Sequence, residues 1–240
     1  MEIHVPSIQP LVIGQLGPLI ITNTLLTSWI ALVVIIVLAV AATRNMQLVP
    51  GRMQGAAEAV IELLLSLGAQ AAGPNAVRFL PLVATLFIYI WISNWLGILP
   101  GVGPIPALRT PNSDLSMTAA MAIIVFFAVQ VTGIRSGLKA YLWKFLWPPF
   151  VGQLEILSEF TRPLSLALRL FGNILAGFVL VEVMLSIASS VPVFFFIPSI
   201  FLAMELGVGL IQALIFAVLT LAFLSVASSH GHEEGEHAAH

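Results

Sequence analysis

The sequence predicts an all-α integral membrane protein: five transmembrane helices plus one interfacial amphipathic helix, the last two helices long and steeply tilted as a hairpin. Three observations carry this reading. Of the 240 residues, 59% are hydrophobic and only 8% are charged, whereas a soluble domain carries about a quarter charged residues. Apolar stretches of about 20 residues, enough to cross a hydrocarbon core about 30 Å thick, recur along the chain. The last two of these stretches are much longer than one perpendicular crossing needs.

In chain order, the residues Met1, Glu2, Ile3 and His4 lack the basic region of a secretory signal and the arginines of a transit peptide. The first apolar segment is therefore expected to stay as a span. No charge lies between Val5 and Thr43, and residues 23–43 read as that span, ending at Arg44. Pro50-Gly51 breaks the chain. Residues 53–72 set Glu58 and Glu62, four apart and so on one helical face, against Val60, Ile61, Leu63, Leu64, Leu65 and Leu67. This is the pattern of an amphipathic helix lying at the interface, ended by Gly73-Pro74.

Residues 77–99 form the second span, with Tyr89, Trp91 and Trp95 as interfacial anchors. A Pro- and Gly-rich loop follows, and residues 115–134 form the third span. A basic loop with Arg135, Lys139 and Lys144 comes next, beside Trp143 and Trp147. Residues 152–188 and 193–228 are the overlong pair. The first would reach on the order of 55 Å as one helix, so each must tilt, break or leave the membrane. Pro163 and Pro198 are candidate kinks, and Ser189-Ser190-Val191-Pro192 is the turn that makes a hairpin. Residues 229–240 are a polar tail. The whole reads as a single membrane domain.

With five crossings and the N-terminus outside, Arg44, Arg52, Arg78, Arg135, Lys139 and Lys144 fall inside, and only Arg109 falls outside. That asymmetry satisfies the positive-inside rule. The net charge of −2 says nothing about a polyanionic partner, but no basic stripe is present and no nucleic acid is expected as a partner. With no cysteine, disulfides and thiolate metal sites are excluded. No Gly-rich phosphate loop with its lysine is present, so the chain is expected to be no enzyme by itself and to hold no nucleotide.

The informative residues are the charges inside apolar segments, which are costly there and by default mark function. The fourth span holds Glu155, Glu159, Arg162, Arg169 and Glu182, and the fifth holds Glu205. Glu155, Glu159, Arg162, Arg169 and Asn173 are spaced four, three, seven and four apart, which makes them one helical stripe. Glu159 and Arg162 can neutralise each other within the helix. Arg169 cannot shed its proton and has no carboxylate three or four residues away, so its partner must come from another helix or another chain. Glu205 and Gln212, seven apart, share a face of the last helix. Glu182 and Glu205 either pair across the hairpin or hand protons along a hydrated path. Gly172, Gly177, Gly207 and Gly209 allow close helix approach.

These residues carry a resemblance. The run Arg162-Pro-Leu-Ser-Leu-Ala-Leu-Arg169-Leu-Phe-Gly-Asn173, followed by Ile174-Leu-Ala-Gly177, resembles the signature of F-type ATP synthase subunit a. So does Gln212-Ala-Leu-Ile-Phe-Ala-Val-Leu-Thr220. The stretches Asn23–Trp29, Ser93–Pro100 and Asn112–Ser116 are similar to the same family. The resemblance implies a proton-conducting stator subunit with two offset aqueous half-channels against a ring of c subunits. Its partners would be the c-ring, peripheral-stalk b subunits, the rest of the synthase and the lipid bilayer. It implies that Arg169 is the essential channel arginine facing the rotor carboxylate, with Asn173 and Gln212 lining the site beside it. Glu155 matches an acidic position towards the inner half-channel, and Glu205 stands where the family has His or Glu. With Glu159 and Glu182 these residues make up the expected proton path.

The sequence departs from the family at Phe178, where many members carry an acidic or polar residue. Glu182, one turn on and within about 40° of the same face, can substitute. No cofactor and no metal are expected, since His230, His232, His237 and His240 sit among glutamates in a polar tail. A sodium-translocating version and a stand-alone secondary transporter are the alternatives, the latter lacking the internal repeat such folds often have. The bacterial plasma (inner) membrane is the expected location, with the thylakoid membrane as alternative.

Overall fold

The computed structural model describes residues 11–16, 19–73, 76–98, 109–138, 141, 149–190 and 197–229. Six long helices carry most of them: α1 (Asn23–Thr43), α2 (Arg52–Ala72), α3 (Ala76–Leu96), α4 (Leu115–Ser136), α5 (Pro149–Ser190) and α6 (Ile197–Ser229). Five of these are long and apolar enough to cross a membrane, and α2 is the sixth. The all-helical membrane architecture read from the sequence is therefore present. Helices α5 and α6, with 42 and 33 residues, are about 60 and 50 Å long, far beyond one perpendicular crossing.

Local signals fix several boundaries. Thr22 caps α1, its Oγ1 accepting the Leu25 N–H at 3.3 Å. Proline opens α5 at Pro149 and stands second in α6 at Pro198, positions where a missing N–H loses nothing. Pro163 lies inside α5, yet the helix runs through it unbroken. Of the four residues read as the hairpin turn, Ser189 and Ser190 belong instead to the last turn of α5, and Val191-Pro192 lie outside the described residues. So does the polar tail from His230 onward.

One element was not expected. Strands β1 (Val12–Leu16) and β2 (Leu19–Thr22) pair antiparallel, with Leu16 opposite Leu19 and a bulge between Val12 and Gly14. The segment is uncharged and apolar like a membrane span, but Val12, Ile13, Ile20, Ile21 and Thr22 are β-branched. Gly17-Pro18 stands between the two runs in the sequence.

Contacts divide the chain into two compact units that cut across the helices. One comprises residues 1–46, 87–118 and 168–214, and the other 47–86, 119–167 and 215–240. The first buries Phe87, Ile90, Leu170, Ile174 and Ala213 together with many polar groups: Asn23, Thr24, Thr27, Ser28, Ser93, Asn94, Arg109, Asn112 and Gln212. Thr27 and Ser28 satisfy themselves by donating to the carbonyls of Asn23 and Thr24 one turn back. Arg109, counted above as the lone outer-side cation, is only 6% exposed. Its Nε donates to Ser113 Oγ at 2.9 Å, and its backbone N–H to Thr27 Oγ1 at 3.3 Å.

The second unit has a more apolar interior, with Leu64, Val83, Val125, Val129, Leu166, Phe216, Ala217, Leu221 and Leu224 all buried. Lipid is as apolar as leucine, so packing of this kind rests on close van der Waals fit rather than on escape from water. Helix α2 joins it through Leu64 and Gly68, which meet Leu221 of α6, while Glu58 and Glu62 stay exposed. Gln54 fastens the preceding loop to α2. Its Nε2 donates to the Gln47 carbonyl at 2.9 Å, and its Oε1 accepts the Gln47 N–H at 3.0 Å.

Candidate functional site

The predicted stripe lies on α5, as its 3.6-residue period dictates. Within the first unit it presents Arg169, Asn173 and Gly177 at successive turns. Arg169 is exposed, and among the described residues it meets no carboxylate. Asn173 Nδ2 donates to Gln212 Oε1 of α6 at 2.8 Å. Gln212 is 2% exposed, and its Nε2 has no hydrogen-bond partner among the described residues.

One turn further along α5, Glu205 of α6 comes against Gly177. A methyl group added at Gly177 would sit 2.9 Å from Glu205 Oε1, so the absent side chain is what admits the carboxylate. Asn173, Gly177, Met204, Glu205 and Val208 help line a cavity of about 210 Å³, room for several waters. The two contacts, 173 with 212 and 177 with 205, run antiparallel and form the expected hairpin pairing. Gly209 is the other glycine that serves close approach, its added Cβ falling 3.0 Å from the Asn94 Cβ. Gly172 and Gly207 do not serve that purpose, since a Cβ there would meet nothing within 4 Å.

Apart from reading Trp95 as an interfacial anchor, the sequence reading gave no role to the polar group behind α6. Asn94 of α3 donates through Nδ2 to the Gly209 carbonyl at 2.9 Å. Asn112 Nδ2 donates to Asn94 Oδ1 at 2.6 Å and to the Ile90 carbonyl at 3.4 Å. Trp95 Nε1 donates to the Leu206 carbonyl at 3.3 Å. These bonds hold α6 at the turn between Glu205 and Gln212. Asp114 ties the same loop to α1 by accepting Thr24 Oγ1 at 3.0 Å, and it caps α4 by accepting the Ser116 N–H. The available signal was an asparagine inside an otherwise apolar span.

The rest of the stripe falls in the second unit. Arg162 Nη1 lies 3.5 Å from Glu159 Oε1, and its Nη2 lies 3.7 Å from Glu155 Oε1. Glu159 also accepts Gln130 Nε2 of α4 at 3.1 Å. Arg162 covers the Phe223 ring of α6 at 5.5 Å. Outside the spans, the Tyr141 ring rests on Gly133, and its phenol is pushed above its ordinary value by burial first, then by Glu159 and Glu155.

The structure thus brings Asn173, Glu205 and Gln212 together near Arg169, and it groups Glu155, Glu159 and Arg162 separately. Glu182 lies on α5, but its side chain, like that of Phe178, is outside the described part. No cluster of three potential metal ligands occurs among the described residues.

Comparison with known proteins places the chain in a family. The family model for the ATP synthase A chain matches residues 25–225. The chain is 38% identical to ATP synthase subunit a 1 of Hahella chejuensis over 212 residues, covering 88% of this chain and 86% of that one. It is 35% identical to ATP synthase subunit a 2 of a Bradyrhizobium species over 215 residues, covering 89% and 92%. It is 34% identical to ATP synthase subunit a of Moorella thermoacetica over 227 residues, covering 94% and 99%. With five membrane-crossing helices, the arginine stripe on α5 and matches over nearly its whole length, the chain is a multi-pass membrane protein of the ATP synthase subunit a family.

Proposed function

We propose that this chain is the proton-conducting stator subunit of a rotary F-type ATP synthase, working against a ring of c subunits in a bacterial plasma membrane. The observation that carries the reading is Arg169: a permanent cation in an apolar span, exposed, and with no carboxylate partner among the described residues. A guanidinium in that setting needs an anion from another chain, and a rotor carboxylate passing α5 supplies one. The cation favours the ionised carboxylate while it is opposite α5, because attraction is poorly screened there. It also opposes direct proton passage between two offset half-channels. The membrane potential contributes about 2.3 kcal/mol per charge per 100 mV.

Asn173 and Gln212 line the place where the rotor carboxylate exchanges its proton. The cavity beside Glu205 serves the half-channel on one side. Support for a hydrated route comes from four buried polar atoms of the same unit without hydrogen-bond partners among the described residues: Gln212 Nε2, Asn112 Oδ1, Ser93 Oγ and Trp91 Nε1. Such groups are rarely left dry. Glu155 serves the other half-channel. The nucleotide chemistry belongs to other subunits, and peripheral-stalk subunits hold this one against rotation.

The test is ATP-driven acidification of vesicles carrying the assembled complex, in sodium-free buffer. Arg169→Ala is expected to abolish acidification with assembly intact. Unchanged pumping by that variant would sink the assignment, and ATP-driven sodium uptake without acidification would replace the proton by sodium.

A further inference from the structure

Helix α6 is apolar almost throughout, so packing alone lets it settle in more than one register against its neighbours. A single buried amide is a device that removes such freedom. Glu205, Gly209 and Gln212 are spaced four and three apart on α6, which puts them on one face. The middle position has no side chain, and Asn94 of α3 occupies the gap. Its Cβ lies 3.0 Å from where a Gly209 Cβ would stand. Asn94 is 3% exposed, and Asn112 is fully buried. The Asn94 amide donates to the Gly209 carbonyl at 2.9 Å and accepts Asn112 Nδ2 at 2.6 Å. Asn112 is anchored in turn on the Ile90 carbonyl, one turn before Asn94. Turned over, the Asn94 amide would set its oxygen against the Gly209 carbonyl and its NH2 against the Asn112 donor, so one orientation is fixed. The neighbouring Trp95 donates to the Leu206 carbonyl, three residues from Gly209. Two bonded carbonyls at different heights fix α6 both along its axis and about it.

We propose that Asn94 is a positioning residue for proton transfer. Oriented by Asn112, it sets the register of α6 in which Gln212 meets Asn173 and Glu205 meets Gly177. The proposal deepens the channel reading and rests on it. Among the described residues, the Asn94 side chain bonds a backbone carbonyl and a second amide, and not the side chains of Glu205 or Gln212. It therefore acts through the helix rather than on the proton. A slip of α6 by one residue turns it by about 100° and moves it about 1.5 Å. That is enough to break the 2.8 Å bond between Asn173 and Gln212 and to take Glu205 off Gly177. Gly209 shares the role, since a side chain there would crowd Asn94.

The experiment is ATP-driven proton pumping by the reconstituted whole complex with a switchable tether. The chain has no cysteine, so Asn94→Cys with Gly209→Cys gives it a single thiol pair. The two Cβ atoms need to move by less than about 1 Å to reach disulfide separation. The oxidised pair ties α3 to α6 where the amide did, and the reduced pair does not. Pumping per assembled complex is read on one sample before and after reduction, which holds assembly constant, with the wild type treated alike as control. A several-fold fall on reduction and recovery on reoxidation is expected. A wild-type rate in both states would mean that α6 keeps its register without the amide. A low rate in both would mean that Asn94 acts as a polar group and not by position. Either result overturns the proposal. Where the pair does not close or the complex does not assemble, Asn112→Ala decides. It releases the Asn94 amide without touching α6, and the rate per assembled complex should fall measurably; an unchanged rate overturns the proposal equally. A merely structural role for the asparagines would lower the amount assembled and leave the rate per complex unmoved. Arg169→Ala is run alongside. Pumping by that variant sinks the channel reading itself, whereas its loss with unmoved rates in the asparagine variants sinks only the positioning role.

Discussion

Helix α5 carries two arginines seven residues apart, and their surroundings are opposite. Arg162 sits between Glu155 and Glu159 with Phe223 against its face. Arg169 is exposed and meets no carboxylate among the described residues. The first is satisfied within its own unit. The second, on the function proposed above, keeps its charge for an anion of another chain. The same contrast runs through the two interiors, one rich in asparagine, threonine and serine, the other built mainly of leucine, valine and phenylalanine. An intramembrane charge is therefore not informative by type alone. What distinguishes a functional cation from a structural one is whether its own fold has already supplied the anion.

The largest expected effect breaks that comparison directly. Arg169→Ala should abolish ATP-driven pumping, whereas Arg162→Ala should leave a substantial fraction of it, both measured in assembled complexes. Equal loss in both would erase the distinction. Next in size is Gly177→Val. A side chain there collides with the Glu205 carboxylate, so pumping should fall several-fold while the complex still assembles, and Gly172→Ala, in open space, should be near wild type. A normal rate in Gly177→Val would mean that Glu205 is not needed where it lies.

Asn94→Leu sharpens the contrast of interiors. It strips the Gly209 carbonyl and Asn112 of partners, and about 1 kcal/mol of stability should be lost, read as a lower unfolding temperature of the purified complex. The smallest effect is spectroscopic. Burial and the two glutamates hold the Tyr141 phenol above its ordinary value of about 10. The fold therefore favours the neutral phenol, fully below pH 10, and the advantage disappears as the pH rises through the folded value. Glu159→Gln should bring the tyrosinate absorbance of Tyr141 to lower pH, with Tyr141→Phe identifying the signal against Tyr89. An unmoved titration would mean that Glu159 does not act on the phenol.

Much of the fold was legible because its signals are local. Apolar runs gave the spans, Glu58 and Glu62 opposite leucines gave α2, and sheer length marked α5 and α6 as overlong. The β-hairpin before α1 was not, because a short uncharged run of valine and isoleucine reads alike as strand or span. Pro163 read as a kink and lies in a continuous helix, as proline often does in membrane segments where neighbouring groups re-satisfy the backbone. At the site, the stripe from Glu155 to Asn173 followed from a period of 3.6 residues. That Asn173 meets Gln212, 39 residues away, could be expected only through resemblance.

The sequence by itself determined that this chain crosses a membrane, which residues carry charge within it, and which of those share a helical face. All three follow from composition and from spacing along one helix. Only the tertiary structure decided which charge was already paired, which glycine makes room for Glu205, and that Asn94 and Asn112 brace α6. Each of those depends on what a second helix brings to within about 3 Å, the distance at which a hydrogen bond either exists or does not.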